Sequence, residues 1–249
     1  MMALDFEELD YAQTRMGELI LRRRRMPSLD NLEVYEVILG DAFLMSSLFT
    51  VVETALADLG LAALGPRQKL DVVVGGLGLG YTAKAVLNNA DVQQLMVIDA
   101  LEEVIGWHQS KIIPLGKTLC DDPRCRFVHG DFFAMAASPS TGFDHDQPGR
   151  RFDAVLLDID HTPSKLLDAS HADFYTVEGL QKLAGHLKPG GVFAMWSDDP
   201  PEETFIGLLG RVFKTAEPHV VSFFNPLQER DSTSTVYVAC NPVAWPKNT

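Results

Sequence analysis

The chain has 249 residues, 46% of them hydrophobic, and a formal net charge of −13. That length supports one sizeable core with at most a small appendage. The charge repels phosphate backbones and disfavours a nucleic-acid partner, and no apolar run approaches the ~20 residues that span a bilayer. The opening MMALDFEELDYAQ is acidic and lacks an apolar signal core, so a cytoplasmic protein without membrane contact is expected. Cys120, Cys125 and Cys240 form neither an even disulfide framework nor a CxxC pair, which argues against structural zinc.

Residues 17–49 hold two β-rich runs, GELILRRRR and LEVYEVILGDAFLM, separated by MPSLDN. Pro27, Asp30 and Asn31 punctuate them as a turn, and the expectation is a small N-terminal hairpin region. Arg22 to Arg25 are read as a solvated strand with alternate side chains folded back, rather than as an anion patch. In TVVETALADLGLAAL, the residues Val52, Leu56, Leu59 and Ala63 recur at helical spacing, and Gly65 and Pro66 stop the helix. This divides the chain into an N-terminal region, 1–66, and a second domain, 67–249.

Strands and helices then alternate. LDVVVG is a continuous apolar run of the kind buried on both faces of a parallel sheet. Helix YTAKAVLNNA, strand QLMVID, helix LEEVIGWHQSK, strand CRFVHG and strand FDAVLLDI follow. Next come helix FYTVEGLQKLAGHL, closed by Lys188, Pro189 and Gly190, strand GVFAMWS and helix EETFIGLLGRVF. HVVSFF and STVYVAC are close enough to pair as a C-terminal hairpin, and SPSTGFDHDQPG (138–149) has the composition of a mobile surface loop. The pattern predicts an α/β fold, a doubly wound Rossmann-like, mostly parallel sheet ending in an antiparallel hairpin.

VVVGGLGLGYTAKAV reads as strand, glycine turn and helix. Gly76, Gly78 and Gly80 permit positive φ and let a ligand approach the backbone, and the helix start offers free N–H groups. The spacing suits an aminoacyl nucleoside; Gly78, Gly80 and Ala83 also match the GxGxxA of dinucleotide loops, which keeps an NAD oxidoreductase as a rival. Asp99 ends the second strand, where a carboxylate can accept from both ribose hydroxyls or cap the next helix. Asp131 ends the third, where it can accept from an adenine amino group or act as a cap. The fourth ends LLDIDHTPS, so Asp158, Asp160 and His161 crowd the rim. Alkyl transfer from a sulfonium needs a nucleophile held near the donor carbon, and a carboxylate can bind an ammonium and help remove its proton. Asp158 is expected in that role, with Asp160 as a second anchor. Tyr175 either lines the acceptor pocket or starts the next helix, and Trp196 and Asp198 face the same rim.

These residues resemble the spermidine synthase group of the class I methyltransferase-like fold. VVVGGLGLG, VIDALEEVI, HGD at Asp131, and FDAVLLDID with FYTVEGLQKLAGHLKPGGVFAMW carry the likeness across nearly the whole chain. The resemblance implies S-adenosylmethionine or its decarboxylated form as cofactor, a small amine-bearing acceptor, and a homodimer. It implies that Asp158 helps deprotonate the attacking amine. Two features depart from the pattern. His161 stands where a second aspartate holds the diamine, with Asp160 one residue earlier. Val51-Val52-Glu53 replaces a Tyr-His or Tyr-Gln pair before a glutamate. Putrescine is therefore expected to be a poor acceptor. The alternatives are a methyltransferase with a non-amine acceptor and a non-catalytic nucleoside-binding protein.

Overall fold

The computed structural model describes residues 6–242. Its N-terminal part is a four-stranded antiparallel sheet, larger than the expected hairpin: β1 (Phe6–Thr14), β2 (Gly17–Met26), β3 (Leu32–Leu39) and β4 (Ala42–Ser46). The run LEVYEVILGDAFLM splits into β3 and β4 at Gly40, whose φ of 56° makes the tight turn. β1, FEELDYAQT, has almost no apolar alternation and is held by pairing along β2. The arginine run does alternate. Arg22 and Arg24 reach the buried Glu36 at 2.6 and 2.8 Å, while Arg23 pairs with Glu7 and Glu33 on the opposite face.

The second sheet has seven strands in the order β10-β11-β9-β8-β5-β6-β7. They are β5 (Leu70–Gly75), β6 (Val92–Asp99), β7 (Cys125–His129), β8 (Phe152–Leu157), β9 (Leu187–Ser197), β10 (Phe213–Asn225) and β11 (Arg230–Pro242). β5 to β9 run parallel, and β11 is antiparallel to both its neighbours. This is the Rossmann-like core with its terminal hairpin. The LDVVVG strand serves both faces: Val72 and Val74 enter one core and Val73 the other. Strand order reverses between β5 and β8, so the crevice for a ligand opens above their carboxyl ends.

Helix α1 (Val51–Ala62) belongs physically to this sheet, although it precedes Gly65 and Pro66. A Cβ on Gly60 would lie 2.6 Å from Leu156 of β8. Its Leu56, Ala57 and Leu61 join one core with Leu19, Leu21 and Val37 of the first sheet. The other helices are α2 (Tyr81–Asn88), α3 (Glu102–Gln109), α4 (Gly116–Asp121), α5 (Phe132–Ala137), α6 (Val177–Ala184) and α7 (Glu203–Gly210). α4 and α5 are too short to show a helical period. α6 ends before the expected stop: β9 already starts at Leu187, and Lys188 within it reaches Asp71 and Asp153 at 2.8 Å. No helix among the described residues is long and apolar enough to cross a membrane.

The 138–149 stretch is pinned rather than free. Phe143 is fully buried against Phe132 and Phe152, and the buried Asp144 pairs with Arg126 at 2.7 Å and Arg150 at 2.9 Å. Turn composition describes its backbone and misses these two anchors. Phe143→Ala should therefore cost about 3–5 kcal/mol, as for a core phenylalanine. Urea unfolding should show a lower midpoint at an unchanged slope.

Candidate functional site

The glycine loop joins β5 to α2 and carries φ values of 94°, 45° and 93° at Gly76, Gly78 and Gly80. A side chain on Gly76 would run into the carbonyl oxygen of Asp158, and one on Gly78 into the sulfur of Met45. The loop is tied from two sides. His108 Nε2 donates to Gly78 O at 2.9 Å, and burial pushes this ring down to about 4, so it stays neutral. Asp99 accepts from Leu77 N and Leu101 N, both at 2.9 Å. Burial raises the Asp99 pKa, and the N–H groups of Leu101, Leu77 and Gly78 oppose that rise. Asp131 caps α5 through Oδ1, which accepts from Phe133 N and Ala134 N at 2.9 and 3.1 Å. Its Oδ2 has no partner among the described residues. A carboxylate has about four lone-pair sites, so both aspartates keep capacity for a ligand.

Above the loop lies a cavity of about 900 Å³ between the two sheets. Gly76, Gly78, Asp99, Asp131, Asp158 and His161 all line it, as do Trp196 and Asp198. Gly80 sits behind the lining as the N-cap of α2. Asp160 and Tyr175 do not line it. Both are buried, and the Tyr175 hydroxyl donates to Asp160 Oδ2 at 2.8 Å. The expected anchor and pocket roles are thus replaced by an internal bond. Val52 lines the cavity, whereas Val51 is exposed and can shape no pocket.

Sequence reasoning left several lining groups out of the site. Glu53, in the first turn of α1, faces the cavity beside Asp158. Burial pushes Glu53 up to about 8, and the nearby Asp158 charge adds to it. Burial likewise pushes Asp158 up to about 6, although the Thr82 hydroxyl, 2.6 Å from its Oδ2, pulls the other way. The pair titrates together. Before Thr235, β11 pairs with β10 alone and the two form a two-stranded arm over the cavity, where Phe223 meets Phe49 at 5.8 Å. Asn225, Arg230 and Asp231 at its end join the lining. A strand pattern signals the arm's existence but not where its tip lands. Seven carboxylates face the cavity, against the two arginines Arg15 and Arg230.

No protein-family model matches the chain. It is 28% identical to polyamine aminopropyltransferase 2 of Pseudomonas aeruginosa over 163 residues, 61% of this chain and 42% of that one. It is 25% identical to the polyamine aminopropyltransferase of Pyrobaculum islandicum over 129 residues, 52% of this chain and 40% of the relative. The chain thus spans less than half the length of these relatives. Among solved structures, spermidine synthase from Thermotoga maritima superposes with a TM-score of 0.69 at 18% identity, over 94% of this chain and 72% of that one. A probable spermidine synthase from Corynebacterium glutamicum gives 0.62 at 13%, over 98% and 82%. These structural likenesses are likenesses of fold.

The raised carboxylates make a stability prediction. Both folded-state values lie above the ordinary carboxylate range, so between about pH 4 and 8 the folded chain holds more protons than the unfolded one. Their contribution to stability is present at the acid end and lost as pH rises through that window. Glu53→Gln removes the half-buried charge. It should be more stable than wild type at pH 9 and lose that advantage by pH 5 in parallel urea titrations.

Proposed function

We propose that the protein is an alkyl transferase that takes S-adenosylmethionine or its decarboxylated form as donor and modifies a small amine-bearing acceptor. The observation that carries this reading is the Glu53–Asp158 pair, two half-buried carboxylates on the cavity wall with no cationic side chain paired to them among the described residues. Unpaired buried charge is expensive, so such a pair calls for a cationic ligand or holds a proton. The curated relatives are aminopropyltransferases by name, and the fold is that of spermidine synthases.

The residues present fit the donor. Gly76 and Gly78 bring backbone to the cavity wall, Asp99 and Asp131 offer acceptors for ribose and adenine, and the acidic lining suits a sulfonium. When bound, the donor supplies an electrophilic carbon attached to sulfur. Glu53 and Asp158 bind the acceptor as its ammonium. Asp158 Oδ1, the oxygen that Thr82 leaves free, takes the proton that must leave before nitrogen can attack. A carboxylate near 6 to 8 can exchange a proton at neutral pH without holding it permanently. The arm of β10 and β11 and the sheet β1–β4 cover part of the cavity, and the loss of hydration strengthens these charges. Val52 offers no hydrogen bond to a second ammonium, so putrescine is a poor acceptor.

Calorimetry should detect methylthioadenosine or S-adenosylhomocysteine binding, with NAD weaker; tighter NAD binding would reject the reading. In an acceptor series of amines, Asp158→Asn should lower turnover by about 10²–10⁴-fold while leaving thioether affinity nearly unchanged. Wild-type turnover in that variant would remove Asp158 from the chemistry.

A further inference from the structure

His171 lies in the 3₁₀ turn Ala169–Tyr175, between β8 and α6, and is only 7% exposed. Its ring stacks on Phe133, with centroids 3.8 Å apart and planes 23° from parallel. Its Nδ1 lies 2.8 Å from Asp160 Oδ1. Asp160 is fully buried and collects two further donors, Leu167 N at 2.7 Å and the Tyr175 hydroxyl at 2.8 Å. Burial and the Asp160 charge push Tyr175 well above its usual value, so the phenol keeps its proton and donates. All three groups therefore point hydrogens at one carboxylate.

That convergence sets the histidine tautomer. A carboxylate only accepts, so Nδ1 carries the hydrogen and Nε2 is the ring nitrogen left for a ligand. Nε2 has no partner among the described residues, and His171 lines the cavity. Asp131 lines the same cavity, and its Oδ1 is bonded to Phe133 N, the backbone of the residue on which His171 stacks. Asp131 Oδ2 and His171 Nε2 thus belong to two residues that line one cavity and are linked through Phe133.

We propose that His171 is a specificity-determining residue that reads the exocyclic amino group of the donor's purine together with Asp131. Asp160 and Tyr175 are positioning residues that hold it in the accepting tautomer. A 6-amino group brings two N–H donors to two acceptors. A 6-oxo group brings a lone pair to them and leaves both unpaired, so the pocket selects adenine over hypoxanthine. The inference rests on the nucleoside reading above and adds a residue and a selectivity to it.

Calorimetry with methylthioadenosine and its 6-oxo analogue, methylthioinosine, tests this on the whole chain. Wild type should prefer the amino form by about 100-fold or more, because a site built for a hydrogen-bond donor rejects an analogue lacking it. His171→Phe keeps the ring stacked on Phe133 and removes both nitrogens. The preference should fall by about tenfold, the usual worth of one hydrogen bond. A measurement on wild type does not depend on that variant folding. The nitrogen NMR resonance of His171 Nε2 should have the downfield position of an unprotonated nitrogen and move upfield with methylthioadenosine but not with methylthioinosine. In Asp160→Asn, an amide that can donate to Nδ1 should shift the ring toward the Nε2–H tautomer and weaken the amino form selectively. If wild type binds neither nucleoside, the transferase reading and this proposal fall together. If it binds methylthioadenosine while the Nε2 resonance stays still, or His171→Phe keeps the full preference, only the role of His171 is overturned.

Discussion

The carbonyl oxygen of Asp158 stands where a side chain on Gly76 would have to be. This contact lies where strand order reverses, between the ends of β5 and β8, and much of the site follows from it. Because the two strand ends touch, the chain leaving β5 must turn away through residues with positive φ. That turn starts α2 so that Thr82 reaches the Asp158 carboxylate, and it brings Leu77 N within reach of Asp99 at the end of β6. Three neighbouring strands thus deliver a bare backbone and two carboxylates to one wall. The first sheet then closes the wall from above, with Met45 of β4 seated against Gly78 and accepting from Leu79 N at 3.1 Å.

Closure has an electrostatic consequence. An isolated carboxylate in an open crevice would be hydrated and would titrate normally. Here α1 lays Glu53 opposite Asp158, and the sheet β1–β4 and the β10–β11 arm roof the cavity, so both acids lose water and repel each other. Mutual repulsion in a low dielectric raises at least one of two facing carboxylates. The same geometry that makes this unfavourable without a ligand makes it favourable with a cation, since attraction is strengthened by the same loss of water.

What the sequence disclosed follows the physics of periodicity. LDVVVG was legible because a strand buried on both faces leaves no polar position from Val72 to Val74, and the glycine loop because only glycine tolerates the contacts at Gly76 and Gly78. β1 was not legible, because an exposed edge strand held by pairing and by the Arg23–Glu7 ion pair has no need of apolar alternation. The clustering of Asp158, Asp160 and His161 was visible, but their directions were not. Strand alternation would put Asp158 and Asp160 on one side, but β8 ends at Leu157, and beyond it Asp158 faces the cavity while Asp160 turns inward to Tyr175 and His171. Glu53 and His171 join the site through packing between distant segments, which no local pattern encodes. The 138–149 stretch shows the converse: turn residues set its backbone while Phe143 and Asp144 anchor it from within.

The acids of the cavity divide by how many backbone donors they already hold. Asp99 receives N–H groups from Leu77, Leu101 and Gly78, and Asp131 receives two from the start of α5. Such bonds fix the orientation of a carboxylate and leave its remaining lone pairs free to accept from a ligand. Asp158 has one hydroxyl donor, and Glu53 has little beyond its own backbone, so burial dominates both. They are left as the groups whose charge changes near neutral pH. The fold sorts four similar side chains into two kinds by the supply of N–H groups at each strand or helix end.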